Sequence, residues 1–137
     1  MTKINKKQVI YYSGQAFLGA NHRVELLKNN EAYIHDVEDE RYNDDYKDPF
    51  FKEKKHFLQL KDIDFFWETM DKLEVYQWSK NYVDSRYCDG YGYEIKLRNP
   101  EGKAKYCSGH MKYPENILDF IDALNKLFKT NIKVYPE

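Results

Sequence analysis

The sequence of 137 residues predicts a single α+β domain, an antiparallel sheet of about five to six strands packed by two helices in the order β-β-β-β-α-β-β-α. Three observations predict it. Tyr91, Tyr93, Ile95 and Leu97 alternate with Gly92, Glu94, Lys96 and Arg98, the period of a strand with one buried face. Two stretches instead repeat their apolar residues on a 3.6-residue period: Ile63, Phe66, Trp67, Met70 and Leu73, then Ile117, Phe120, Ile121, Leu124, Leu127 and Phe128. The length suits one core, because a chain of this size buries roughly two-thirds of its unfolded surface.

Taken in order, Gln8 to Gly14 is β-branched and aromatic and reads as a first strand ending in a turn. Gly14 to Asn21 has no clean period and reads as a loop that tucks Phe17 and Leu18 inward. Two alternating strands follow, His22 to Leu27 and Ala32 to Val37, with Asn29 and Asn30 as the hairpin tip, since asparagine tolerates the left-handed region. Residues 36 to 49 form an acidic loop within the domain, closed by Pro49, with Arg41 and Lys47 its only cations. Phe51 to Leu60 resumes a strand whose Lys52, Lys54 and Lys55 guard a sheet edge. Asp62 is placed to cap the first helix and Asp64 to favour its dipole, and the helix ends near Leu73 or Glu74. Pro114 suits the first position of the second helix, which runs to about Phe128. Ile132 to Tyr135 alternates and reads as a short final strand.

Between the helices, Asn99-Pro100-Glu101-Gly102 supplies turn chemistry for a hairpin. Pairing Arg98 with Lys103 puts Leu97 opposite Ala104, Ile95 opposite Tyr106 and Tyr93 opposite Ser108. Cys107 then faces Glu94, far along the ribbon from Cys88, which reads as two reduced thiols. The outward row becomes Lys96, Arg98, Lys103 and Lys105, a solvated cationic face.

The pattern of Trp78, Tyr82, Asp89-Gly90, Tyr93, Ser108-Gly109, Tyr113-Pro114 and Asn116 resembles a widespread family of small, mostly uncharacterised bacterial domains. Their common pattern is W…Y…DG…W…sG…YP.n followed by a helix. The resemblance covers about residues 62 to 128 and departs at Tyr93, where the family usually has tryptophan, and at His110-Met111-Lys112. It implies a fold, and a setting near polymorphic toxin and immunity systems. Trp78, Tyr82, Asp89, Gly90, Tyr93, Gly109, Tyr113 and Pro114 themselves read as turn and packing residues.

Lys plus Arg number 22 against 23 Asp plus Glu, so net charge implies neither nucleic-acid binding nor membrane attraction. The basic start is not followed by the apolar stretch of a signal peptide, which points to the cytoplasm. Frequent Asn, Lys, Ile and Tyr fit an AT-rich bacterial or phage genome. His22, His35, His56 and His110 show no metal-ligand spacing, and a metal site among them requires a tertiary coincidence. Ser108 and His110 lack a nucleophile elbow, and Gly90-Tyr91-Gly92 does not open a helix as a phosphate loop does. No catalytic residue, cofactor or metal is therefore expected.

The expectation is a non-enzymatic, protein-binding inhibitor of the immunity or antitoxin kind. The 13 tyrosines favour binding through large contact area with a polar tip. The acidic loop, with Asp36, Glu38, Asp39, Glu40, Tyr42, Asp44, Asp45 and Tyr46 as contact residues, suits the basic groove of a toxin or nuclease. A phage-encoded inhibitor of a host nuclease or anti-phage defence complex is the near alternative. A small-ligand domain with a pocket lined by Trp78, Tyr82, Asp89 and Tyr93 is the more distant one.

Overall fold

Alternating side chains in three successive stretches build the first half of the sheet. The computed structural model describes residues 7–15, 19–39, 41–42, 56–86 and 90–134. In it β1 is Gln8–Gln15, β2 is Gly19–Leu26 and β3 is Glu31–Asp36. A two-residue β4, His56–Phe57, follows, then α1, Leu60–Lys72. The second half has β5, Asn81–Val83, β6, Tyr91–Arg98, β7, Ala104–His110, and α2, Ile117–Phe128. The strands form one sheet in the order β4-β3-β2-β1-β6-β7-β5, so the architecture is α+β with seven strands. The strand not foreseen is β5, which pairs parallel to β7 while all other neighbours are antiparallel. Three residues are too few for a period to show in sequence.

Both helices pack on one sheet face. Val9, Tyr11, Val24, Ile34, Tyr93, Ile95 and Leu97 supply that face, and Ile63, Phe66, Met70, Phe120, Leu124 and Phe128 meet them from the helices. Full burial of such a side chain is worth about 1.5–3 kcal/mol relative to exposure. The tilted contact of Tyr11 with Phe120 sets α2 against β1, and the edge contact of Trp78 with Phe120 ties it to the segment that follows α1.

Several boundaries move for identifiable reasons. Of the loop expected over Gly14–Asn21, Gly14 and Gln15 belong to β1 and β2 already begins at Gly19, with an irregularity between Ser13 and Gly14 absorbing the missing period; Phe17 and Leu18 lie outside the described residues. At the next turn Asn29 and Asn30 do take left-handed conformations, with φ of 58° and 61°, within a 3-10 turn over Lys28–Asn30. Of the strand expected over Phe51–Leu60, only His56–Phe57 pairs with β3 among the described residues; Lys52, Lys54 and Lys55 lie outside them. Gln59, not Asp62, precedes α1, since the Gln59 carbonyl already accepts from the Asp62 and Ile63 amides. Asp62 falls in the first turn, where its charge still favours the dipole. Pro114 makes a turn ahead of α2, and Asn116 is the residue at which the helix begins.

The terminal strand is absent among residues 130–134. The Asn125 side chain takes its place: its Oδ1 accepts from the Ile132 amide and the Thr130 hydroxyl, each at 2.8 Å, and its Nδ2 donates to the Ile132 carbonyl at 3.0 Å. Both main-chain groups that Ile132 would offer a sheet are thereby satisfied.

The β6–β7 hairpin is slipped by one residue from the expected register. Asn99 Oδ1 accepts from the amides of Glu101 and Lys103, and the Asn99 amide donates to the Lys103 carbonyl, so five residues form the loop and Arg98 faces Ala104. A one-residue slip turns every side chain of a strand over. Cys107 therefore faces Ile95 in the core at 3% exposure, and Tyr106 faces Lys96 on the outside at 47%. The expected row of four cations does not form: Lys105 Nζ donates to the Trp78 carbonyl at 2.6 Å, and Lys103 lies 4.6 Å over the Tyr76 ring. Only Lys96 and Arg98 remain on the outer row. Cys88 lies outside the described residues.

Candidate interaction surface

The residues that carry the family resemblance are placed as packing and turn residues. Trp78 is buried and its Nε1 donates to Asn116 Oδ1 at 2.9 Å; Tyr82 is half-buried and its hydroxyl accepts from the Ser79 amide. Tyr93 is buried beneath a stacked Tyr113, Gly109 lies against the Tyr93 ring, and Pro114 is buried. Gly90 has φ of 131°, a conformation that suits glycine, while Asp89 lies outside the described residues. Of the residues expected in one alternative to line a pocket, Trp78 and Tyr93 are buried in the core, and Tyr93 also borders the hollow beside Gly92.

The expected contact residues divide. Asp36 is 1% exposed at the end of β3, and Tyr42 is also buried, its hydroxyl on the Lys129 carbonyl at 3.4 Å and its ring edge-on to His56. Glu38 is exposed, and Asp39 is held by Arg41 through bonds of 3.1 and 2.7 Å, which lower the pKa of its carboxyl. Glu40, Asp44, Asp45 and Tyr46 lie outside the described residues. The segment 36–42 is thus pinned to the domain at Asp36 and Tyr42 and presents Glu38 and Asp39 between them.

Asp36 belongs to a row the sequence reading missed. The register sets Ser13, His22 and Asp36 side by side on β1, β2 and β3, on the core face. Ser13 Oγ lies 3.1 Å from His22 Nδ1, and His22 Nε2 lies 3.4 Å from Asp36 Oδ1. Burial holds the His22 pKa below the ordinary histidine range, against the opposing pull of Asp36 and Glu38. The order serine, histidine, acid is that of a nucleophile relay, but a nucleophile must reach its substrate, and Ser13 is 7% exposed. The legible signal was alternation itself: His22 continues the period of Val24 and Leu26, and Asp36 that of Ala32 and Ile34.

Among the described residues no element covers the other sheet face. Its middle row runs Tyr33, Glu25, Ile10, Lys96, Tyr106 across five paired positions. The adjacent row runs His35, Arg23, Tyr12, Glu94, Ser108, Asn81. Arg23 spreads over the Tyr33 ring at 5.9 Å, and Arg98 Nη2 donates to the Tyr106 hydroxyl at 2.9 Å. Where Gly92 omits a side chain, an open hollow of about 710 Å3 forms, lined by Ile10, Tyr12, Arg23, Glu94 and His110. The chemistry offered is aromatic area edged by mixed charge.

Comparison of the chain with protein-family models, with curated proteins and with solved structures finds no match.

Proposed function

We propose that the protein is a non-enzymatic inhibitor that binds a protein partner and occludes it, in the manner of an immunity protein or antitoxin. The uncovered sheet face carries this reading: Tyr12, Tyr33 and Tyr106 stand on it with Arg23 and Arg98, the residue types enriched in protein interfaces. The segment from Asp36 follows the same sheet at the end of β3 and is acidic in sequence. A partner with a phosphate-binding basic groove, such as a nuclease toxin, complements that charge. The resemblance of residues 62 to 128 to domains found near toxin systems supports the same class. No helix of the described residues is long and apolar enough to cross a membrane, and the proposed place of action is the cytoplasm.

The test is affinity co-purification from source cells, followed by binding measurements with the captured partner. Replacing Tyr33 and Tyr106 by alanine should weaken binding about tenfold or more. Neutralising Asp39, Glu40, Asp44 and Asp45 should weaken it and flatten its salt dependence. Unchanged affinity in both variants sinks the proposal. A toxin as partner fits an immunity protein, whereas a host nuclease or defence complex fits a phage inhibitor. The hollow at Gly92 favours a second reading, a small-ligand domain, which would show as a saturable thermal shift with a metabolite and no captured protein.

A further inference from the structure

We propose that His22, Asp36 and Glu38 bind one divalent transition-metal ion. The site goes beyond the interaction reading and stands independently of it. Its ligands come together through register. The β2–β3 pairing sets His22 directly beside Asp36, and the Glu38 amide donates to Asp36 Oδ1 at 2.9 Å, turning the chain back so that Glu38 joins them. One ligand atom from each residue then lies within 4.8 Å of the other two. His22 Nε2 and Asp36 Oδ1 are 3.4 Å apart. Two donors bound at about 2.1 Å to a tetrahedral ion stand about 3.4 Å apart, so this edge of the site already has the spacing of a bound ion.

The surroundings agree with that use. A metal-bound imidazole donates its other ring N–H to a fixed acceptor, which sets the tautomer and aims the free lone pair at the ion. Ser13 Oγ, 3.1 Å from His22 Nδ1, is placed to be that acceptor. One neutral imidazole and two carboxylates balance a dication, so an ion bound against the core leaves no net buried charge. His22 and Asp36 are 0% and 1% exposed, while Glu38 is exposed. The ion is held from inside and reached past Glu38, with the fourth position open to water as in three-ligand zinc sites. The nitrogen and oxygen donors suit zinc or manganese, and zinc is the stronger binder at such a set. The bound ion ties the start of the acidic segment to the ends of β2 and β3.

The test is calorimetric titration of the full, untagged, chelator-treated chain with zinc chloride, with manganese as a second probe. One saturable zinc site per chain and a raised melting temperature are expected. Glu38→Gln, a change at an exposed position, should leave the circular dichroism spectrum unchanged and weaken zinc binding at least about tenfold. Ser13→Ala should weaken it about tenfold by releasing the imidazole. His22→Asn should remove the site, and if that variant fails to fold the Glu38 result still decides. No saturable binding at micromolar zinc, or equal affinity in Glu38→Gln and the unaltered chain, overturns the proposal.

Discussion

Tyr93 lies across Gly109: the two face each other between β6 and β7, and the Tyr93 ring occupies the space that a side chain at 109 would need. The same ring stacks on Tyr113, with centroids 4.7 Å apart and planes 15° from parallel, and its hydroxyl donates to the Lys112 carbonyl at 2.8 Å. A single tyrosine therefore joins the sheet to the link that leads into α2. It does so only because the opposite residue has no side chain.

Gly109→Ala places a methyl group into that ring. Overpacking a filled core costs about 1–3 kcal/mol, and urea denaturation should report a loss in this range. Tyr93→Leu in the same background should recover part of it, because the two positions share one space. An alanine variant as stable as the unaltered chain would show that the ring can move aside.

Asn116 holds three elements at once. Its Oδ1 accepts from Trp78, its Nδ2 donates to the Leu73 carbonyl at 2.8 Å just beyond α1, and its backbone begins α2. Asn116→Ala leaves the largely buried indole N–H and the Leu73 carbonyl without these partners, a loss of about 1–3 kcal/mol for each group left unsatisfied. Asn116→Asp keeps an acceptor for Trp78 and loses only the donor to Leu73. Its stability should fall between the two in thermal melts.

Much of the fold was legible because periodicity was strong: both helical stripes, the first three strands and β6 were plain in the sequence. What escaped depended on single side chains. Asn99 adds one residue to a loop and so turns over the whole of β7, and Asn125 takes the hydrogen bonds of Ile132 and cancels a strand. Neither effect has a period. The acidic segment was visible as composition, yet the burial of Asp36 was masked by its membership of an acidic run, although its alternation with Ile34 already placed it on the core face. Its meeting with His22 needed the register, which the 3-10 turn at Lys28–Asn30 sets: a two-residue tip at Asn29 and Asn30 would pair His22 with Val37 instead.

The β6–β7 register can be tested by paired substitutions. Cys107→Asp places a carboxylate opposite Ile95 in the core, where an unpaired charge costs about 3–5 kcal/mol. Tyr106→Thr changes an exposed position and should stay within about 0.5 kcal/mol of the unaltered chain. In the register that pairs Arg98 with Lys103 the order of the two effects would invert. Equilibrium denaturation of both variants distinguishes the alternatives.

Stability should fall on the alkaline side. Burial raises the pKa of the Cys107 thiol, and it raises those of the Tyr11 and Tyr93 phenols as well. Each group holds its proton in the folded chain at a pH where the unfolded chain has begun to release it. The unfolded state then binds fewer protons, so stability is fully present below the unfolded values and declines as pH rises through them. Those values are about 8.5 for a thiol and about 10 for a phenol, and melting temperatures recorded from neutral pH upward should therefore drop first near the former and more steeply past the latter. Tyr93→Phe removes one phenol and should lessen the steeper drop while lowering stability at neutral pH through the lost bond to Lys112. The same burial keeps Cys107 protonated and shielded, so peptide mapping after iodoacetamide treatment at mildly alkaline pH should find it unmodified in the native chain and modified in urea. Rapid native modification of Cys107 would place it outside the core and contradict the register from which the rest of β7 follows.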